Sequence, residues 1–146
     1  MLADFSRELT AASKLRDPVE ALFHLLEQPI LHRQVLTAPL ERLALAYLTR
    51  AHHNGKLYDP VATFHLANGA RLERIYAFGN LRPYGIDASF GVTASYRYLP
   101  AELEENHERF IRKGEIRVSD ALFREHKKMA VVWQTSRETP QRAKQG

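Results

Sequence analysis

The chain of 146 residues contains no cysteine, which excludes a disulfide framework, a thiolate zinc site and a cysteine nucleophile. No apolar run approaches the roughly 20 residues that a membrane-spanning helix needs. The first ten residues, MLADFSRELT, lack the apolar core of a signal peptide, so the expectation is a soluble, cytoplasmic protein with no membrane partner. Internal repeats and low-complexity blocks are absent. So are the GxGxxG and P-loop patterns that cradle phosphates and the GxSxG elbow of serine hydrolases, which leaves those chemistries without support. What remains is 45% hydrophobic and 26% charged, close to the composition of a single globular domain.

The net charge of +4 is unevenly spread: residues 109–146 hold ten Lys/Arg against four Asp/Glu, and the rest of the chain is slightly acidic. A basic surplus makes nucleic acid worth considering. Arg109, Arg112, Lys113, Lys127 and Lys128 are, however, scattered over two expected helices and not interleaved with aromatics along one element. They read as a solvated face, and nucleic acid is not an expected partner.

The pattern predicts an α+β domain over residues 1–136, with N-terminal helices followed by a small antiparallel-type sheet with flanking helices, and a flexible tail over 137–146. Asp17-Pro18-Val19-Glu20 opens the first clear helix: Asp17 caps it, Pro18 suits its first position, and Pro29 ends it. Val19, Leu22, Phe23 and Leu26 would share its inner face. A second helix starts near Pro39, with Leu40, Leu43, Ala44, Tyr47 and Leu48 at helical spacing, and stops by Gly55. Short segments punctuated by turn residues follow. VATFH (61–65), the Asn68-Gly69 turn and residues 71–78 read as a hairpin. Ser89 to Tyr98 alternates so regularly that it reads as the best strand. From Pro100 a helix runs to Gly114 with Leu103, Phe110 and Ile111 inward; Ile116 to Val118 is extended, and Ser119 caps a last helix with Ala121, Leu122, Glu125, Met129 and Val132 as its stripe.

Seven histidines make imidazole the first place to look for acid–base or metal chemistry. No pair has the spacing of HExxH, and without thiolates a zinc site needs three convergent His or carboxylates, so no metal is expected. His52 and His53 fall at a helix end, while His24, His32 and His126 lie in amphipathic surroundings that suit surface or boundary positions. His65 closes the short apolar segment just before Asn68-Gly69, where binding residues often sit. Tyr96, Arg97 and Tyr98 place two tyrosines on one strand face and a cation on the other.

Leu40 to Leu48 (LERLALAYL), followed by Gly55 to Ile75 (GKLYDPVATFHLANGARLERI), resembles the C-terminal catalytic part of malonyl-CoA decarboxylases, and the string DPVAxFHLxNGAxLxRI is specific. The similarity continues through Gly85 to Tyr98 (GIDASFGVTASYRY) and Glu105-Asn106-His107-Glu108, covering roughly residues 20–120. The resemblance implies a domain related to the GNAT acetyltransferases that converts malonyl-CoA to acetyl-CoA and carbon dioxide without metal or organic cofactor. Loss of carbon dioxide leaves an enolate on the thioester, so the chemistry needs donors for an oxyanion and an acid for the carbon. His65 matches the family histidine that pairs with a serine for this task and is assigned proton donation. Tyr98 matches a tyrosine of the family's YxY step, as a positioning or substrate-binding group. Asn68 shapes the turn beside them and completes the substrate-binding set.

Where the family usually reads NWxADxSxxG, this chain has Tyr76-Ala-Phe-Gly-Asn-Leu-Arg-Pro-Tyr-Gly85, and Ser95 stands where an asparagine is usual. The family's serine and CoA loop lie upstream of the matching segment, so the expectation is a C-terminal portion of the enzyme. Two readings follow. One is a malonyl-CoA decarboxylase-type protein acting alone, as a homo-oligomer or with a complementing chain. The other is a non-catalytic remnant or interaction module, for which an unpaired strand edge favours assembly.

Overall fold

The structure is a computed structural model that describes residues 5–53, 56–83, 85 and 89–125. Its architecture is α+β, with helices and, among the described residues, two small two-stranded sheets. The described residues form two compact units, one within 5–45 and 75–93 and the other within 46–74 and 94–125. The expected tail, the stripe positions Met129 and Val132, the helix stop at Gly55, and His126, Lys127 and Lys128 lie outside the described residues.

The first unit is built on helices α1 (Ser6–Ser13), α2 (Pro18–Leu25) and the first part of α3 (Arg33–Arg50). Asp17 caps α2, its Oδ1 accepting from Val19 N at 2.8 Å and Glu20 N at 3.1 Å, with Pro18 in the first turn as the sequence predicts. The buried face is rotated from the expected one. Ala21, Leu22, Leu25 and Leu26 face inward, while Val19 and Phe23 are half-exposed. The alanine methyl leaves room for close helix packing on its side, and Phe23 instead meets the edge of Phe90, ring centres 5.6 Å apart.

Leu9 of α1 and Leu36 and Leu40 of α3 complete this core with Ala77. Burying Leu36 explains why α3 begins at Arg33, well before Pro39: Val35 N and Leu36 N both bond to His32 O, forming a turn ahead of the proline. Pro39 lies inside the helix with its ring buried, so its packing offsets the missing amide hydrogen bond. The expected strand from Ser89 does not form in its first half, because Phe90 (φ 54°) and Gly91 (φ 80°) are left-handed, a geometry that bends the chain away from extension.

In the second unit, β1 (His52–His53) and β2 (Lys56–Leu57) form a short antiparallel pair, so the two histidines sit on a strand and not at a helix end. Helix α4 (Pro60–Ala67) follows, where the sequence reading placed a strand. Asp59 caps it through a bond from Val61 N at 3.2 Å, Pro60 opens it, and Ala62 and Leu66, one helical turn apart, are its buried residues. Strand β3 (Arg71–Tyr76) lies beside β4 (Thr93–Arg97). On Leu72 it also bridges Val118 in parallel, through Leu72 N to Arg117 O at 2.9 Å and Ser119 N to Leu72 O at 3.0 Å.

After a 3-10 turn at Pro100–Glu102, helix α5 (Leu103–Lys113) ends on left-handed Gly114, as expected of a glycine cap. Of its expected inward residues Leu103 and Phe110 are partly buried, but Ile111 is 60% exposed, being about 100° round the helix from Phe110. The one buried side chain of α5 is Asn106. Ser119 caps α6 (Asp120–Glu125) by accepting from Leu122 N at 3.1 Å while its hydroxyl donates to Glu73 O at 2.8 Å. Leu122 is buried there, whereas Ala121 is exposed.

Candidate active site

His65 lies in the last turn of α4, and that turn closes in a defined way. Gly69 N bonds to Leu66 O at 3.0 Å and Ala70 N to His65 O at 3.1 Å, with Gly69 left-handed at φ 90°. This is the pair of reversed bonds of a Schellman cap, which satisfies carbonyls the helix leaves orphaned. Asn68-Gly69 therefore ends a helix and does not make a hairpin. Asn68 spends its side chain locally, Nδ2 donating to Phe64 O at 2.8 Å.

Against His65 stand two tyrosines from β4 and its continuation. Tyr98 Oη lies 2.6 Å from His65 Nδ1, and the Tyr96 ring stacks on the imidazole with centres 4.6 Å apart and planes 19° from parallel. Residues two apart on extended backbone share a face, which is why both tyrosines reach the same ring. Arg97, between them, points to the other side and comes within 3.9 Å of Glu73. Tyr96 is the site neighbour that motif reasoning left without a role; its signal was the period-two step Tyr96-Arg97-Tyr98.

The two tyrosines differ in environment. The Tyr96 hydroxyl is buried without a hydrogen-bond partner among the described residues, and burial, then the Asp59 carboxylate, holds its ionisation well above the ordinary tyrosine range. It stays neutral, and its contact with His65 is made by the ring face. Tyr98 is 43% exposed, so the hydrogen-bonded edge of the pair opens to solvent.

The partner chosen by His65 matters chemically. His52 Nδ1 and His107 Nδ1 approach the carbonyl oxygens of Arg50 at 2.7 Å and Ala67 at 2.6 Å. A carbonyl only accepts, so both rings must carry their proton on Nδ1. A tyrosine hydroxyl does both. It can donate to Nδ1 of a neutral His65 whose proton is on Nε2, and it can accept from Nδ1–H when that nitrogen carries the proton, as in the charged ring. His65 Nε2 has no hydrogen-bond partner among the described residues. The pair can thus hold or release a proton without losing its internal bond.

Among the described residues no group of three His, Asp or Glu is placed to hold a metal ion, and no helix is long and apolar enough to cross a membrane. A depression of about 440 Å³ in the first unit is lined by the continuous segment Ile30 to Val35 and gathers no catalytic set.

Comparison with known proteins identifies the family. The family model described as malonyl-CoA decarboxylase C-terminal domain matches residues 5–138. The mitochondrial malonyl-CoA decarboxylases of Anser anser anser and Rattus norvegicus are 39% and 35% identical over 90 residues, which is 62% of this chain and 18% of each relative. The crystal structure of malonyl-CoA decarboxylase from Rhodopseudomonas palustris superposes with a TM-score of 0.62 at 34% identity, over 69% of this chain and 24% of that one. That of the Cupriavidus metallidurans protein gives a TM-score of 0.63 at 34% identity, over 71% and 26%. The chain therefore spans less than a third of these relatives' lengths, and it belongs to the malonyl-CoA decarboxylase family, whose C-terminal domain it matches.

Proposed function

We propose that the chain takes part in decarboxylation of malonyl-CoA, with His65 as the proton donor and Tyr98 as the group that orients it. The observation that carries this reading is the 2.6 Å approach of Tyr98 Oη to His65 Nδ1, a partner that serves the imidazole in both protonation states. In the reaction the bond between the carboxylate carbon and C2 breaks, carbon dioxide leaves, and the electron pair passes into the thioester as an enolate. An N–H on Nε2 stabilises the developing oxyanion, and the imidazolium delivers a proton to C2 to give acetyl-CoA. One proton is consumed and no electron changes hands, so the route calls for no redox cofactor. Malonyl-CoA is the substrate, and acetyl-CoA and carbon dioxide are the products.

Tyr98→Phe keeps the ring and removes the hydroxyl. A hydrogen bond to a group that becomes charged is worth about 1.5–3 kcal/mol, so acetyl-CoA formation from malonyl-CoA by the full chain should fall by roughly 10- to 100-fold. Wild-type turnover with that loss supports the reading. A folded chain that makes no acetyl-CoA contradicts it and favours the second reading, a module that does not decarboxylate, whose support is the departure of residues 76–85 from the family pattern.

A further inference from the structure

We propose that Asn106 is a positioning residue that sets the His65 ring by fixing the last turn of α4. The observation is the use to which α5 puts its one buried side chain, which is an amide. Burying an amide costs free energy unless its groups are paired, and both the Nδ2 group and Oδ1 of Asn106 have partners. Its Nδ2 donates to Gly69 O at 3.0 Å and to Glu102 Oε1 at 3.3 Å, and its Oδ1 faces Arg117 Nη1 at 3.5 Å. Arg117 is itself held by Glu102 at 3.2 Å, so the amide sits in a closed polar set that spans α5, the α4 cap and the segment beside β3.

Gly69 is the left-handed residue of the cap whose other bond comes back to His65 O. Next to Asn106, His107 donates from Nδ1 to Ala67 O at 2.6 Å. Two consecutive residues of α5 therefore take two carbonyls of the α4 terminus that the helix cannot satisfy itself. The backbones also touch: a Cβ on Gly69 would overlap the Leu103 carbonyl oxygen and lie 2.9 Å from Leu103 Cα. The end of α4 is held by the start of α5, and with it the direction in which residue 65 leaves the backbone. A shift of about 1 Å at a reacting group is enough to lose much of its effect, and the same shift would break the bond to Tyr98.

This inference gives Asn106 a catalytic meaning only through the proposed role of His65, so the test reads the ring itself. Long-range proton–nitrogen NMR correlations of the uniformly ¹⁵N-labelled full chain, in mildly alkaline buffer, report which ring nitrogen carries the proton. The wild type is expected to show a single Nε2–H tautomer at His65. Asn106→Leu, near in size but unable to donate, and Asn106→Asp, which keeps the size and the Arg117 partner but loses the donor to Gly69 O, should both lose that single signature and show a tautomer mixture. Leu122→Ala, a cavity in the same unit that leaves Asn106 in place, should keep it. A folded Asn106→Asp or Asn106→Leu chain with the wild-type tautomer overturns the proposal, and so does Leu122→Ala if it scrambles the ring equally. A chain that makes no acetyl-CoA yet shows the tautomer change in the Asn106 variants would sink the proposed function while leaving the positioning role standing.

Discussion

His65→Ala is expected to lower acetyl-CoA formation from malonyl-CoA on the order of 10²- to 10⁴-fold, the range for loss of a positioned general acid. The fold should survive. Alanine is the best helix former, the side chain of His65 is only partly buried, and the cap bond that residue 65 contributes comes from its backbone carbonyl. The variant removes the Tyr98 bond and the Tyr96 stack while leaving α4 in place, so far-ultraviolet circular dichroism should match the wild type. A rate within threefold of wild type would remove His65 from the chemistry.

The largest expected effect on stability is that of Gly69→Ala. Two costs add there. At φ 90° an L side chain is strained, by about 1–3 kcal/mol, and the new Cβ would run into backbone of Leu103, which cannot rotate out of the way as a side-chain tip can. Together these give about 3 kcal/mol or more, a large share of the roughly 5–15 kcal/mol by which domains are stable. Gly114 provides the comparison: it too is left-handed, at φ 67°, but a Cβ there meets nothing within 4 Å. Gly114→Ala should cost only the strain, about 1 kcal/mol, and urea unfolding of the two variants separates the terms. Equal losses would mean that the close approach of α4 and α5 is not what Gly69 serves.

Much of the architecture was legible where a local rule decided it. Asp17-Pro18, Gly114 and Ser119 are caps whose bonds close locally in the chain. At α4 the same Asp-Pro signal stands at Asp59-Pro60, but Val61, Thr63 and Phe64 are types that also favour strands, and the segment reads as a strand. Ala62 and Leu66, a helical turn apart, carried the helical period. Asn68-Gly69 suits both a hairpin and a helix cap, and the choice is made by what precedes it. The strand from Ser89 failed for a different reason: its alternation is regular, but backbone at Phe90 turns left-handed, which side-chain pattern does not encode.

In the candidate site, motif resemblance points to His65, Tyr98 and Asn68, and the two-residue step puts Tyr96 and Tyr98 on one face. The Asn68 amide donates to Phe64 O. The grip of α5 on α4 could not be read in advance. It joins residues 37 and 40 positions apart, and such pairings are set by tertiary packing and not by local sequence.

His65 and Tyr98 are expected to act as one unit in malonyl-CoA turnover, and a double-mutant cycle shows whether they do. Rates are measured for the wild type, His65→Ala, Tyr98→Phe and the combined variant. If Tyr98 acts through the imidazole, the combined variant should be no slower than His65→Ala alone, because the hydroxyl has nothing left to orient. Losses that multiply, with the combined variant a further 10-fold or more below His65→Ala, would show that the two side chains work independently and that Tyr98 does not act through the imidazole.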